Sequence, residues 1–149
     1  MVLDARERMT TITEIAGGAV IRSAGEFHID EMIEAKRDVA KKYPDGVPWL
    51  FVVVDLSEVT SLNAQTAEVE RLVEQDRLLA VLTRPELPFA VIAPQDSYFG
   101  MARMWQSISD GVGWDTQIFR DRVKTEIWIR EQVEKKYSVV LPNIDPNSL

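Results

Sequence analysis

Residues 49–66 read WLFVVVDLSEVTSLNAQT. The opening run, from Trp49 to Val54, is apolar on consecutive positions, rich in valine and too short for a helix, the pattern of a central strand covered on both faces. The polar residues 55–65 then predict a turn that opens a helix. In open α/β sheets, ligands and partners meet the protein at the carboxyl ends of strands. Asp55, Ser57, Ser61, Asn63, Gln65 and Thr66 are therefore the candidate interaction or ligand loop. Ser61 or Asn63 is expected to cap the helix that follows.

On the amino-terminal side, residues 10–16 alternate apolar and polar side chains, Gly17-Gly18 supplies a turn and residues 19–24 continue extended, which reads as an antiparallel hairpin. Ile29, Met32, Ile33, Val39, Ala40 and Tyr43 recur mostly at spacings of three, four and seven, an amphipathic helix with Glu31, Glu34, Lys36 and Lys41 assigned to its wet side. Pro44-Asp45-Gly46 stops it. On the carboxyl side, residues 64–83 are helical, with Val69, Leu72, Val73, Leu79 and Ala80 on one stripe. Asp76 interrupts that stripe and reads as an overhang into water or a polar contact with a partner. Residues 88–93 form a second buried strand, and a third helix capped by Asp96 or Ser97 buries Met101, Ala102, Trp105 and Ile108. Residues 114–119 are another parallel strand. Asp121 caps a last helix in which Val123, Ile127, Trp128 and Val133 point inward. Strands alternating with helices after one hairpin predict an α/β domain over residues 10–137: a mixed, mainly parallel five-stranded sheet with four helices. Residues 1–9 and 138–149, the latter with Pro142 and Pro146, read as loosely ordered tails.

The chain has 149 residues, 46% of them hydrophobic, enough for one core. A net charge of −7 argues against nucleic acid as the partner, and the richest basic pairs are only Lys41-Lys42 and Lys135-Lys136. There is no cysteine for a disulfide or thiolate metal site. The first nine residues have no secretory pattern and no run reaches membrane-spanning length, so stable membrane insertion is not expected and a cytoplasmic location is.

Two segments carry a resemblance to a known family. Residues 55–66, following a hydrophobic strand, are similar to the switch loop of the STAS superfamily of sulfate transporter and anti-sigma-factor antagonist domains. Residues 99–105, FGMARMW, with Phe119-Arg120-Asp121 and Trp128, look like its stand-alone SpoIIAA-like branch. The resemblance implies the STAS fold and a bacterial regulatory role. In phosphorylation-switched antagonists an aspartate and a phosphorylatable serine occupy the places that Asn63 and Ala64 hold here. Alanine has no hydroxyl, so that switch cannot work at residue 64, although Ser61 and Thr66 retain hydroxyls near a helix start where a phosphate is tolerated.

Other candidate chemistry reads as structural. His28, the single histidine, lacks the convergent ligands of a metal site and is expected at a helix start. Asp55 is expected mainly to accept backbone hydrogen bonds from the residues after it. Gly17-Gly18 lacks the lysine and helix of a phosphate loop. Trp49, Trp105, Trp114 and Trp128 are core filling. Ser97 at a helix start, with Arg103, forms a candidate anion or headgroup site. No nucleophile, base and oxyanion group stand in a known relation. The expectation is thus a non-enzymatic regulatory or protein-interaction module with no cofactor or metal. Its partner is another protein or a second copy, because exposed sheet edges can self-associate. The alternative is a carrier or sensor holding a small apolar or lipid ligand between the third and fourth helices and the sheet.

Overall fold

A computed structural model of the chain describes residues 9–142 and 144. The elements run β1 (Thr10–Ile15), β2 (Gly18–Phe27), α1 (Ile29–Lys42), β3 (Val52–Leu62), α2 (Thr66–Ala80), β4 (Pro88–Ile92), α3 (Asp96–Ile108), β5 (Asp115–Phe119) and α4 (Arg122–Tyr137). They build a five-stranded sheet in the order β1-β2-β3-β4-β5. The β1–β2 hairpin is antiparallel and the other three pairings are parallel. The hairpin turn works because glycine fits two tight places. Gly17 has a φ of +84°, and a Cβ on Gly18 would stand 2.5 Å from the Phe51 ring.

Each sheet face is apolar. Val52, Val54, Leu56, Phe89 and Val91 pack under α1, α2 and α3, whereas Phe51, Val53, Ala90 and Ile92 meet Ile129 and Val133 of α4. The valine run is therefore covered on both sides, as its unbroken hydrophobicity requires.

Strand β3 does not stop at Asp55. It runs on to Leu62, paired only with β2 after the last β3–β4 partner, Asp55↔Ile92. The expected turn is thus largely strand. The misreading has a physical cause in the register, which goes from Arg22↔Asp55 to Ala24↔Glu58 and from Gly25↔Val59 to Glu26↔Ser61. Each step adds one residue to β3, a bulge that shifts its side-chain alternation by one place. Val59 and Leu62 consequently share the helix-covered face with Leu56. Gly25, with φ +68°, takes the left-handed conformation between these two irregularities.

Two charges assigned to water are interior. Lys36 is 2% exposed and Asp76 fully buried. Lys36 Nζ donates to Asp76 Oδ1 at 2.5 Å, and Trp105 Nε1 donates to Asp76 Oδ2 at 2.9 Å, so one ion pair ties α1, α2 and α3 together. The ammonium also lies 5.4 Å from the Phe89 ring centroid and 5.8 Å from those of Trp105 and Trp114. Negative ring faces are a favourable lining for a desolvated cation. Helical spacing cannot distinguish a lysine at the edge of an apolar stripe from one beneath it; the acid that decides is contributed by another helix.

On α4 the inward residues are Thr125, Ile129 and Val133, while Val123 and Ile127 are exposed. Val133 and Trp128 pack inward as expected, whereas Val123 and Ile127 do not; Thr125 takes an inward place because its hydroxyl is satisfied by Asp121 O at 2.7 Å. Asp121 does cap α4, its side chain accepting from the Lys124 amide at 2.9 Å. Beyond α4, Leu141 and Ile144 are buried in the α4-side core, so the described part of residues 138–149 contributes to packing. Residues 1–8, 143 and 145–149 of the expected tails lie outside the described residues.

At the sheet edge, Glu14 anchors β1 to α1. Its carboxylate accepts from Tyr43 Oη, from Trp49 Nε1 at 3.0 Å and from Lys42 Nζ at 3.1 Å. The Tyr43 hydroxyl, then Trp49 and Lys42, hold Glu14 below the usual glutamate range, and the Glu14 bond pushes both Tyr43 and Lys42 up.

Replacing Lys36 with methionine strands a buried carboxylate and should cost about 3–5 kcal/mol, while Lys36→Met with Asp76→Leu should recover most of that loss. Urea unfolding of the single and double variants measures the coupling, and additive losses would contradict it. Tyr43→Phe should raise the Glu14 midpoint toward the ordinary value, read by carboxyl carbon NMR titration. Because the folded midpoint is depressed, Glu14 stabilises the fold above the ordinary glutamate range. That contribution disappears as pH falls through the lowered midpoint.

Candidate functional site

Where β4 ends at Ile92, β3 and β2 continue, and this step in the sheet brings together the residues singled out in the sequence. On the α4 side stands Asp55, fully buried. Its Oδ1 accepts the Ser57 amide at 2.9 Å, and its Oδ2 accepts Arg22 Nε at 3.3 Å and Arg122 Nη2 at 3.0 Å. Arg122 Nη2 also donates to Ser57 Oγ at 3.0 Å. A buried carboxylate needs such partners, since desolvation without them costs several kcal/mol. The expected role of Asp55 as a backbone acceptor is present, with two guanidinium groups added. Both arginines had a sequence signature. Arg22 interrupts the apolar run of β2, and Arg122 opens α4, where the helix dipole disfavours a cation.

On the other side, the segment from Ser61 to Thr66 is solvent-facing. Ser61, Asn63, Gln65 and Thr66 are exposed, as is Ser57. Neither Ser61 nor Asn63 caps the helix. Gln65 is the N-cap residue of α2, and the Glu68 carboxylate reaches back to its amide at 3.0 Å. This leaves the side chains of Ser61 and Asn63 turned to solvent with no structural hydrogen bond to give up. Under the loop is an apolar cavity of about 60 Å³, lined among others by Phe27, Leu62, Ala64, Met101, Ala102 and Trp105. Its α3 rim is soft: Thr66 Oγ1 lies 3.9 Å from Met104 Sδ, and Met101 lines the cavity.

Helices α3 and α4, expected to border one ligand site with the sheet, pack on its opposite faces. The cavity beneath α1–α3 is well under the about 150 Å³ that holds a benzene ring. Ser97 and Arg103 are both exposed on α3, and no hydrogen bond joins them. Gln95 rather than Asp96 or Ser97 is the N-cap residue, and Asp96 pairs with Arg120 at 2.6 Å. His28 stands at the start of α1 as expected. Among the described residues no three acidic, histidine or cysteine side chains converge as a metal site would require. No helix among them is long and apolar enough to cross a membrane.

No protein-family model matches the chain, and no curated protein matches it in sequence. In structure it is similar to the crystal structure of an anti-sigma factor antagonist from Mycobacterium paratuberculosis, with 13% identity and a TM-score of 0.55. The match covers 87% of this chain and 99% of that one. At this identity the likeness is one of fold. It gives the mixed sheet and its four helices the STAS-type arrangement that the switch-loop resemblance implied.

Asp55→Ala should leave the Ser57 amide and both guanidinium groups without their acceptor and cost about 3–5 kcal/mol, whereas Arg122→Ala, at a side chain one-third exposed, should cost less. Chemical denaturation of the two variants tests this ranking, and equal losses would place Asp55 outside the framework of the fold.

Proposed function

We propose that this chain is a regulatory protein-interaction module without catalytic chemistry, and that residues 61–66, the first turn of α2 and the methionine-bearing flank of α3 form its docking surface. The observation that carries this reading is the exposed loop itself, with the Ser61 and Asn63 side chains free of structural duty beside an apolar cavity. Interfaces commonly combine an apolar anchor position with a polar rim. Here the Ala64 region supplies the former and Ser61, Asn63, Gln65 and Thr66 the latter. The similarity of fold to an anti-sigma factor antagonist supports a regulatory protein as the partner class.

Phosphorylation at residue 64 is ruled out by its side chain, so control through the usual serine does not operate. Thr66, the first residue of α2, keeps a hydroxyl that a phosphoryl group could occupy without opposing the helix dipole. Binding to the unmodified loop is the simpler mode, and it needs no such chemistry.

A photo-crosslinking residue placed at Gln65 should capture a different protein in cells of the source, and Asn63→Arg in the same chain should abolish that adduct while leaving the melting temperature unchanged. Because the side chain of Asn63 holds nothing in the fold, loss of capture would report on the surface rather than on stability. An adduct that persists undiminished, or none at all, would remove the proposed surface.

A further inference from the structure

The two edges of the sheet are treated differently. On β5 the Gln106 side-chain amide covers the edge, donating to Thr116 O at 2.9 Å and Thr116 Oγ1 at 3.2 Å, and Lys136 pairs with Asp115 at 2.7 Å. Among the described residues strand β1 has no such protection. It reads TTITEI, with no lysine, proline or glycine, and its six pairs with β2 run in unbroken register. Lysines, prolines and bulges are the devices by which edge strands discourage pairing with another chain. The one charge, Glu14, is folded back onto α1 by Tyr43, Trp49 and Lys42.

The backbone of β1 is correctly presented for a further strand. The Ala24 amide donates to Met9 O at 2.8 Å, so by antiparallel alternation Thr11, Thr13 and Ile15 bond β2. Thr10, Ile12 and Glu14 then turn their amides and carbonyls away from the sheet. Beside them, between β1 and the flank of α1, lies a groove of about 380 Å³ lined by Thr10, Ile12, Glu14, Ala35, Asp38 and Lys42. It is the space that an added strand's side chains would enter.

We propose that this edge is an interface between two copies of the chain, joined by antiparallel pairing of their β1 strands about a two-fold axis at Ile12. The occupant follows from the strand's own complementarity. With Ile12 facing itself, Thr10 of one copy stands opposite Glu14 of the other, a hydroxyl beside a carboxylate, and Thr11 stands opposite Thr13. No like charges on the two strands oppose each other, and branched side chains pair with branched or hydroxylated ones, the combinations that stabilise antiparallel ladders. The outward residues of one strand meet the outward residues of the other, so the pairing yields about six backbone hydrogen bonds without shifting register. The β1 edge is separate from the loop at residues 61–66, which leaves each copy able to engage a partner.

The test uses the full chain and sedimentation velocity through the micromolar range. The native chain should sediment at twice its monomer mass. Thr11→Lys with Thr13→Lys places like charges across the axis on two exposed positions and should give monomers. Thr11→Glu with Thr13→Glu should do the same, and an equimolar mixture of the two variants should restore the doubled mass. Restoration supports the pairing and shows that both variants are folded. A monomeric native chain, a lysine variant that stays dimeric, or a mixture that stays monomeric would each overturn it. None of these outcomes touches Asn63 or Gln65, so the interface and the docking loop stand or fall separately.

Discussion

Strand β3 is buried on both faces at its start and then outruns its neighbour β4, and most of the molecule's particular features follow from that mismatch in length. Up to Asp55 it has a strand on either side and helices above and below. A carboxylate at the last such position cannot reach water, so it draws in Arg22 from β2 and Arg122 from the start of α4. Beyond it, only β2 remains alongside. The side vacated by β4 gives α3 room to bring Met101 and Trp105 against the end of the strand, and the incomplete packing there is the apolar cavity.

The fold thus holds two interior ionic groups with different settings. The Asp55 cluster lies on the α4 side, with arginines that remain partly in water. The Lys36–Asp76 pair lies among aromatic rings and is dry. Buried pairs contribute little net stability compared with apolar side chains of the same size, because desolvation offsets most of their attraction. What this pair supplies is position: three helices that share one sheet face through non-directional apolar contacts are held in register by directional bonds to a single carboxylate. The cavity beneath the loop is bordered by Lys36 and Trp105 from this cluster, so the proposed docking surface adjoins the buried ion pair.

The loop from Asn63 to Gln65 is short and joins a bulged strand to a helix closed by its own capping glutamate. Gln65 serves the fold as the helix cap, while the Asn63 side chain is left to solvent. The β1 edge has another character: it offers backbone rather than side chains, and its one charge, Glu14, is folded back onto α1, which leaves the row available for the proposed second copy. The two proposed surfaces differ in kind, one made of loop side chains and the other of strand backbone.

What could be read from residues alone was whatever depends on local periodicity and on turn chemistry. The hairpin at Gly17-Gly18, the central place of the valine run, the alternation of helices and strands, and the Asp121 cap all survive in the structure, because each is decided within about ten residues of chain. The extent of β3 was not legible, since two bulges break the alternation that marks a strand, and only β2 lying alongside makes residues 57–62 extended. The interior place of Lys36 and Asp76, forty residues apart, was not legible either: a charge is buried only if its opposite is brought to it, and that meeting is made by helix packing. Sequence alone settled that this is an α/β chain with a polar stretch after a buried strand. Tertiary structure decided which of those polar residues are sealed under arginines and which face solvent, because burial is a property of neighbours rather than of a residue's own chemistry.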